Sequence, residues 1–511
     1  MAQSTRTWIG YVAMCLGMFM AILDIQVVAS SLTNIQHALN IPASEISWIQ
    51  TAYLMAEVIA IPLTGMLTRA FSLRWLFAGA TGGFVLASIA CALCTNAEPL
   101  IALRVAQGFT GGMLIPAVFT SVFTILPRKD EIVATAIAGA VAMIAPTVGP
   151  FVGGWLTQTY SWHWIFLINV IPGIVVCIMV AIFLPHEKSD IPFLKRIDYA
   201  TVVLAAIFLG TLELLMKEAP PHHWSGSYVY TLAGICGVSG ALAVYVCLRE
   251  SFPFIDLTRF RRTPFAVGCA LSFVAGMGLY GSTYILAIFL GGVREHTPIE
   301  IGEIIMVSGA VQLFAAPIAA LLESRIDGRA MILFGYGLFG IGLLMNANMT
   351  TQTDFDGLFW PQVLRGVAVM FCILPTTRLA MDCWPKEEAP DASGQFNLMR
   401  NLGGAIGIAV IDTILQQRTQ GHADDIVARL QAGDPHMAAK VGLPVEYFHG
   451  QPMGPIDPEM RAYVEPLVRH AALTDSFNEA WIVIGAIFLL SLVAVFFVRG
   501  GKWNPAAQDD C

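Results

Sequence analysis

The sequence predicts an all-α polytopic membrane protein with fourteen spans, and three observations carry that prediction. Hydrophobic residues make up 56% of the chain and charged residues 13%, against roughly 25% charged in soluble domains. The mean hydropathy is +0.68, more apolar surface than a water-soluble core absorbs. The apolar residues fall into fourteen runs, each near the ~20 residues that a helix needs to cross a hydrocarbon layer.

In chain order the runs cover 8–29, 47–68, 75–95, 100–125, 133–157, 163–184, 197–217, 228–248, 264–289, 300–323, 329–348, 358–382, 392–418 and 476–499. The first has a basic Arg6 before it and small residues at Val27-Val28-Ala29, as a cleaved leader would. It is longer than the ~7–15 residues of a leader's apolar region and carries Asp24, so it is expected to remain as a span. The fifth contains Ala145-Pro146-Thr147-Val148-Gly149-Pro150-Phe151-Val152-Gly153-Gly154. Such a stretch breaks a helix in water, whereas packed neighbours in a bilayer can re-satisfy the freed backbone groups. The motif therefore marks a span shaped for close packing.

Three loops divide the runs. A linker at 186–196, flanked by Pro185 and containing Pro192, follows the sixth, and a basic loop at 249–264 with Arg259-Phe260-Arg261-Arg262 follows the eighth, which gives an arrangement of six, two and six. Residues 419–475 form the one long extramembrane segment between spans 13 and 14. Its stretch 424–441 alternates charges and small apolar residues as a short amphipathic helix does. It is either a solvated loop or a docking surface.

An even number of spans puts both termini on one side. If that side is cytoplasmic, seventeen of the 28 Lys and Arg lie there and seven lie outside, most of those in the long loop where the positive-inside bias counts little. Both ends are expected to be cytoplasmic. The net charge of -8 says little about soluble partners, and no basic stripe with interleaved aromatics points to nucleic acid. Cys91 and Cys94 form a CxxC one helical turn apart. Two ligands do not make a metal site, so packing is the reading, and no metal or cofactor is expected. The chain has no Gly-x-x-x-x-Gly-Lys-Ser/Thr phosphate loop and no Gly-x-Ser-x-Gly nucleophile motif. Work done by such a chain must draw on an ion gradient.

Five short patterns together carry a family likeness. They are Leu23-Asp24 in the first span, Trp48 to Leu67 with Ile61-Pro62-Leu63-Thr64-Gly65 in the second, and Arg104-Val105-Ala106-Gln107-Gly108 in the fourth. Gly149-Pro150 to Gly153-Gly154 in the fifth and Trp164-Ile165-Phe166 to Asn169-Val170-Ile171-Pro172 in the sixth complete the set. In order and spacing the chain resembles a major facilitator superfamily transporter of the fourteen-span drug/proton antiporter group, of the EmrB and QacA types. The resemblance implies an N-terminal six-helix bundle at 8–184, two inserted helices at 197–248 and a C-terminal six-helix bundle at 264–499. The bundles rock about a midplane site. It further implies that Pro146, Gly149, Pro150, Gly153 and Gly154 let the fifth helix pack against the other half in gating. One departure is the loop after the second span, where Arg69 and Ser72 replace the usual acid and glycine. The standard inner-gate charge relay is therefore not expected.

Ionisable residues within spans are costly, at least ~2.5–3.5 kcal/mol for a charge at the bilayer centre, so they should face a cavity or one another. Asp24 and Arg104 sit in motifs of the same half, and Arg104 is the candidate partner of Asp24 until substrate or conformation breaks the contact. Glu57, Glu213 and Asp412 complete the proton-coupling candidates. Asp412 lies about 18 Å along the helix from Arg400 and should not pair with it. Candidates for the substrate cavity are Gln26, Tyr53, Gln107, Tyr280, Tyr284, Arg365, Arg378, Met399 and Arg400, with Trp48 and Met113 as further aromatic or Met residues. Arg378 either faces the cavity, favouring an anionic substrate, or snorkels at the cytoplasmic end; the second is expected.

The function expected is a proton-coupled antiporter in a cytoplasmic (inner) membrane that exports amphipathic small molecules. The EmrB type implies a periplasmic adaptor and an outer-membrane channel as partners. A dedicated exporter of one anionic metabolite or siderophore would share these features. The antiporter motif argues against an importer, and the buried acids against a passive receptor.

Overall fold

A computed structural model describes residues 3–40, 46, 48–186, 189–196, 198–249, 255–323, 325–382, 384–385, 387–448 and 458–497. Its principal elements are fourteen helices, which we label α1 to α14. They are Gln3–Leu39, Trp48–Phe71, Leu73–Ala92, Ala97–Thr124 (with a kink at Met113), Glu131–Thr159, Trp164–Phe183, Tyr199–Glu218, Ser227–Cys247, Thr263–Gly292, Pro298–Glu323, Gly328–Met345, Phe355–Met381, Ala389–Gln431 and Pro458–Val495. Thirteen are each long and apolar enough to cross a membrane. The other, α5, passes the same test as a pair of segments bent by 42° around Thr147, between its two prolines. Local chemistry starts several of them. Asp198 accepts from the backbone N–H of Ala200 and Thr201 at the head of α7, Asp327 from that of Arg329 at α11, and Asp354 from that of Phe355 at α12. Each cap satisfies N–H groups that a helix end leaves unpaired.

Two cores organise the bundle. One gathers side chains of α1 to α6, among them Tyr11, Phe77, Phe84, Phe119 and Phe166. The other gathers α9 to α14, including Phe289, Tyr336, Phe339, Ile411, Trp481 and Phe488. Large apolar residues such as Leu86, Ile171 and Phe314 are exposed; in hydrocarbon such a surface carries no penalty. Helices α7 and α8 share a small core of Leu215, Ala219, Val229, Leu232 and Cys236. The pair sits at the seam, because Leu209 of α7 packs with Val58 and Ile61 of α2 and with Leu398 of α13.

The two halves meet at the end of the molecule that carries the termini. There Phe265, Ala380, Ala389 and Phe396 join the first core, and Ile132, Ala136 and Ala140 of α5 join the second. Arg69, in the last turn of α2, pairs with Asp391 in the first turn of α13 at 2.5 Å, and Arg259 approaches the same carboxylate at 3.4 Å. This cluster takes the place of the acid that Arg69 replaces, with the charges exchanged.

The segment between spans 13 and 14 differs from the expected loop. Helix α13 continues to Gln431, and α14 begins at Pro458. The expected helix at 424–441 is two pieces: the end of α13, and a short helix Pro435–Val441 set off by Gly433 (φ 78) and closed by Gly442 (φ 85). Gly421 alone does not stop α13, because Ile426 and Leu430 bury against Met437, Val441, Phe448 and Val468 in a separate core. The described residues of the segment thus form a small folded cap.

Candidate functional site

Asp24, on α1, is the hub of a buried polar network. Arg104 of α4 donates to its Oδ2 at 2.5 Å, while Gln107 and Asn169 donate to its Oδ1 at 3.0 and 2.7 Å. Arg104 also donates to Gln107 Oε1 at 2.8 Å and to the Ile49 carbonyl at 3.1 Å, and Gln107 donates to Ser88 Oγ at 2.8 Å. The guanidinium lies 4.2 Å from the centre of the Tyr53 ring. Asp24 and Arg104 are both fully shielded from solvent. A buried pair of this kind is held by the partners of its remaining donors and acceptors, and here α1, α2, α3, α4 and α6 each supply one, while Arg104 Nη2 is left without a hydrogen bond. The network ties five helices of one half to a single carboxylate.

Two residues along α1, Gln26 lines a cavity of ≈ 450 Å³ between the halves. Its polar wall from α2 and α7 consists of Gln50, Glu57 and Glu213; opposite stand Tyr280 and Tyr284 of α9, Gln312 of α10, Arg365 of α12 and Asn401 of α13. Tyr280 donates to Asn401 Oδ1 at 3.3 Å, and Tyr284 to Asp412 Oδ1 at 2.7 Å. Arg365 donates to Gln362 Oε1 and Ser282 Oγ, each at 2.5 Å. The rest of the wall is largely aliphatic. Asn401 lies ten residues, about 15 Å, along α13 from Asp391, and Gln50 stands in the first turn of α2 at the far end. The cavity therefore lies beyond the closed terminal end and faces the other side.

Of the expected cavity residues, Gln26, Tyr280, Tyr284 and Arg365 line this space, and Glu57 and Glu213 join them. Tyr53, Gln107, Arg378, Met399 and Arg400 do not, nor do Trp48 and Met113. Tyr53 is buried against Arg104 and donates to the Ala21 carbonyl, and Gln107 is consumed by the Asp24 network. Arg400 is buried against Phe119 and Phe396, and Met399 packs on the first core. Trp48 lies over the Lys217 ammonium, and Met113 belongs to the first core. Arg378 does lie at the terminal end but does not snorkel. It is buried, with Glu323 at 3.6 Å and Asp382 at 3.8 Å.

The glycine motif of α5 also meets a different neighbour from the one expected. A Cβ on Gly149 would overlap Gln26, and one on Gly153 would overlap Ser30 and Val27, so this stripe seats α5 on α1 of its own half. Gly154 is buried too, and Pro146 lines the cavity while Pro150 lies within the same bent helix. Contact with the other half comes from the remaining faces of α5: Phe151 lies by Gly302 of α10, Gly139 lies by Met370 of α12, and the Gly139 carbonyl accepts from Gln312 at 3.5 Å. Sequence reasoning missed Asn169, Gln50, Gln312, Asn401, Arg259 and Asp391. Amides inside apolar runs were the available signal for the first four.

A helical bundle in two halves, closed at one end around a mostly apolar cavity and holding buried acids beside it, defines a multi-pass membrane transporter rather than an enzyme. The chain belongs to the major facilitator superfamily, whose sequence model matches residues 14–408. It is 35% identical over 499 residues to the colistin resistance protein EmrB of Acinetobacter baumannii, covering 97% of each chain. It is 26% identical to the multidrug export protein EmrB of Escherichia coli K12, covering 96% of this chain and 94% of the relative. The human organic anion transporter MFSD10 shares the fold, with a TM-score of 0.59 at 12% identity over 96% of this chain and 99% of that one.

Proposed function

We propose that this protein is a proton-driven exporter of amphipathic small molecules, a multidrug pump in the inner membrane with both termini in the cytoplasm. The observation that carries the reading is the placement of Asp24. It is a fully buried carboxylate held by Arg104, Gln107 and Asn169, and Gln26 two residues on faces the cavity. Protonation of Asp24 removes the charge that holds Arg104, so occupancy of the cavity and the packing of α1, α4 and α6 become linked to proton binding. Glu57, Glu213 and Asp412 are further proton acceptors in or beside the same space. Substrate amines and protons then compete for the cavity acids, which is the requirement for exchange.

Relatives named as drug and colistin resistance proteins support export of foreign amphiphiles. The folded cap formed by residues 419–448 and 458–475 is the surface we assign to a periplasmic adaptor, which would connect the transporter to an outer-membrane channel. Unimpaired export from cells lacking every adaptor would remove that assignment.

The test of the reading is transport in proteoliposomes under an imposed pH gradient, with cationic, neutral and anionic amphiphiles, for the wild type and Asp24→Asn. Gradient-driven movement of several compounds that is lost in the variant is the expected result. Transport by both proteins that ignores the gradient would overturn the coupling assignment, and movement of a single anionic compound would identify a dedicated metabolite exporter.

A further inference from the structure

The two halves solve the same problem differently. In each, an arginine of the fourth helix reaches the first helix of that half: Arg104 on α4 reaches Asp24 on α1, and Arg365 on α12 reaches Ser282 on α9. Each arginine is also bonded to a glutamine three residues away, Gln107 or Gln362. The acid that neutralises Arg104 thus has only a hydroxyl as its counterpart beside Arg365. Among the described residues no carboxylate pairs with Arg365. Its Nε has no hydrogen-bond partner, it is 5% exposed, and it lines the cavity.

Across the same cavity the opposite imbalance holds. Glu57 is 5% exposed and makes no hydrogen bond or ion pair among the described residues. Glu213 has an oxygen, Oε2, with no hydrogen-bond partner, and so does Gln50, at Oε1. One wall therefore carries acceptors and two carboxylates, with Lys217 one turn along α7 from Glu213, and the other a buried cation, with aliphatic surface between. Buried polar groups left unpaired are costly, and a ligand that pairs both at once recovers that cost at each end.

Resting on the export reading above, we infer that the cavity is built for dipolar amphiphiles. Such a molecule carries a protonated amine and a carboxylate, or an equivalent anion, on one apolar scaffold. The amine docks on Glu57, Glu213 and Gln50, and the anion docks on Arg365. The inserted helix α7 is then part of the binding site through Glu213.

A matched dye set tests this by fluorescence polarisation on the purified full chain, at fixed pH and without a gradient. The set is a rhodamine as its free acid, a zwitterion; the same rhodamine as its ethyl ester, a cation; and fluorescein, an anion without the amine. The wild type should bind the acid about ten-fold tighter than the ester, the value of one charge-assisted hydrogen bond. Arg365→Gln should abolish that preference while ester binding stays within about two-fold, which also reports that the variant is folded, and Arg365→Lys should restore part of the preference. Glu213→Gln should weaken both rhodamines alike and leave fluorescein unweakened. Equal binding of acid and ester by the wild type, or loss of both together in Arg365→Gln, would overturn the inference. The preference is read without transport. A coupled transporter with no preference sinks this inference alone, and a preference without gradient-driven movement sinks only the export mechanism.

Discussion

Replacing Asp391 with Asn should open the terminal end of the transporter. This one carboxylate holds Arg69 from α2 at 2.5 Å and Arg259, ahead of α9, at 3.4 Å, so it joins the two halves at the point where they close. An exposed pair would contribute only ~0.2–1 kcal/mol, and breaking a fully buried one costs ~3–5 kcal/mol. The side chain of Arg259 is 7% exposed, that of Asp391 20% and that of Arg69 30%. Arg259 also keeps Asp256 at 3.7 Å and Glu388 at 3.8 Å. An intermediate loss of about 2 kcal/mol follows, which shifts the balance between closed and open terminal ends by roughly thirty-fold. Arg69→Gln should shift it less, because Arg69 is the more exposed partner and Arg259 still pairs the acid. Spin labels at the exposed positions Phe71 and Arg261, on either side of the closure, would report the two populations by pulsed dipolar spectroscopy. An unchanged distance distribution in Asp391→Asn, or a larger shift for Arg69→Gln, would refute the reasoning.

Three further outcomes are expected. Asp24→Asn should lower thermal stability in detergent by about 3–5 kcal/mol, because the Arg104 charge is left buried without a counter-charge. Adding Arg104→Gln should recover much of that stability but not gradient-driven transport, whereas recovery of both would make the pair purely structural. Gly403→Val, where even a Cβ would overlap the Phe273 carbonyl, should separate α13 from α9 and cost several kcal/mol; a thermal shift below about 2 °C would contradict that packing. Asp354, just ahead of α12, has its pKa lowered to about 2, chiefly by the hydrogen bond from Arg294 with a smaller one from His296. Its folded value lies below the ordinary 3.8, so its contribution to stability is present above pH ~4 and is lost as the pH falls toward 2. Melting curves of the wild type and Asp354→Asn should therefore differ least at the acid end of that window, and a difference that grows as the pH falls would show the sign to be wrong.

The spans were legible because the bilayer imposes a length and a composition that soluble folding does not. Asp24 and Arg104 were legible as a pair because few charges occur in these runs, so partners are scarce. Tyr53, Gln107 and Arg400 were misplaced for a different reason: an aromatic ring, an amide or a cation in a membrane helix serves equally well as a cavity group or as the seal around another buried charge. Linear sequence does not state which way a helix faces. The glycine motif showed that α5 packs closely but could not name α1 as the neighbour. Hydropathy marks 419–475 as a loop because it ends where the membrane ends, and the charge alternation at 424–441 predicts a helix there, but neither shows that Ile426 and Leu430 prolong α13 by burying against a local core.

The length of α13 has a mechanical consequence. At 43 residues it measures about 65 Å, roughly twice the hydrocarbon thickness, and the same rod carries Asp391 at one end, Asn401, Gly404 and Ile408 along the cavity, and the cap at the other. In a bundle that rocks, a rod of this length would act as a lever. A tilt of about 10° at the cavity would swing a tip ~35 Å further on through about 6 Å, while Arg418 pairs α13 with Glu479 of α14 short of that tip and Lys440 pairs the following short helix with Asp475. Motion of the C-terminal half would thus be delivered, amplified, to a surface well outside the bilayer.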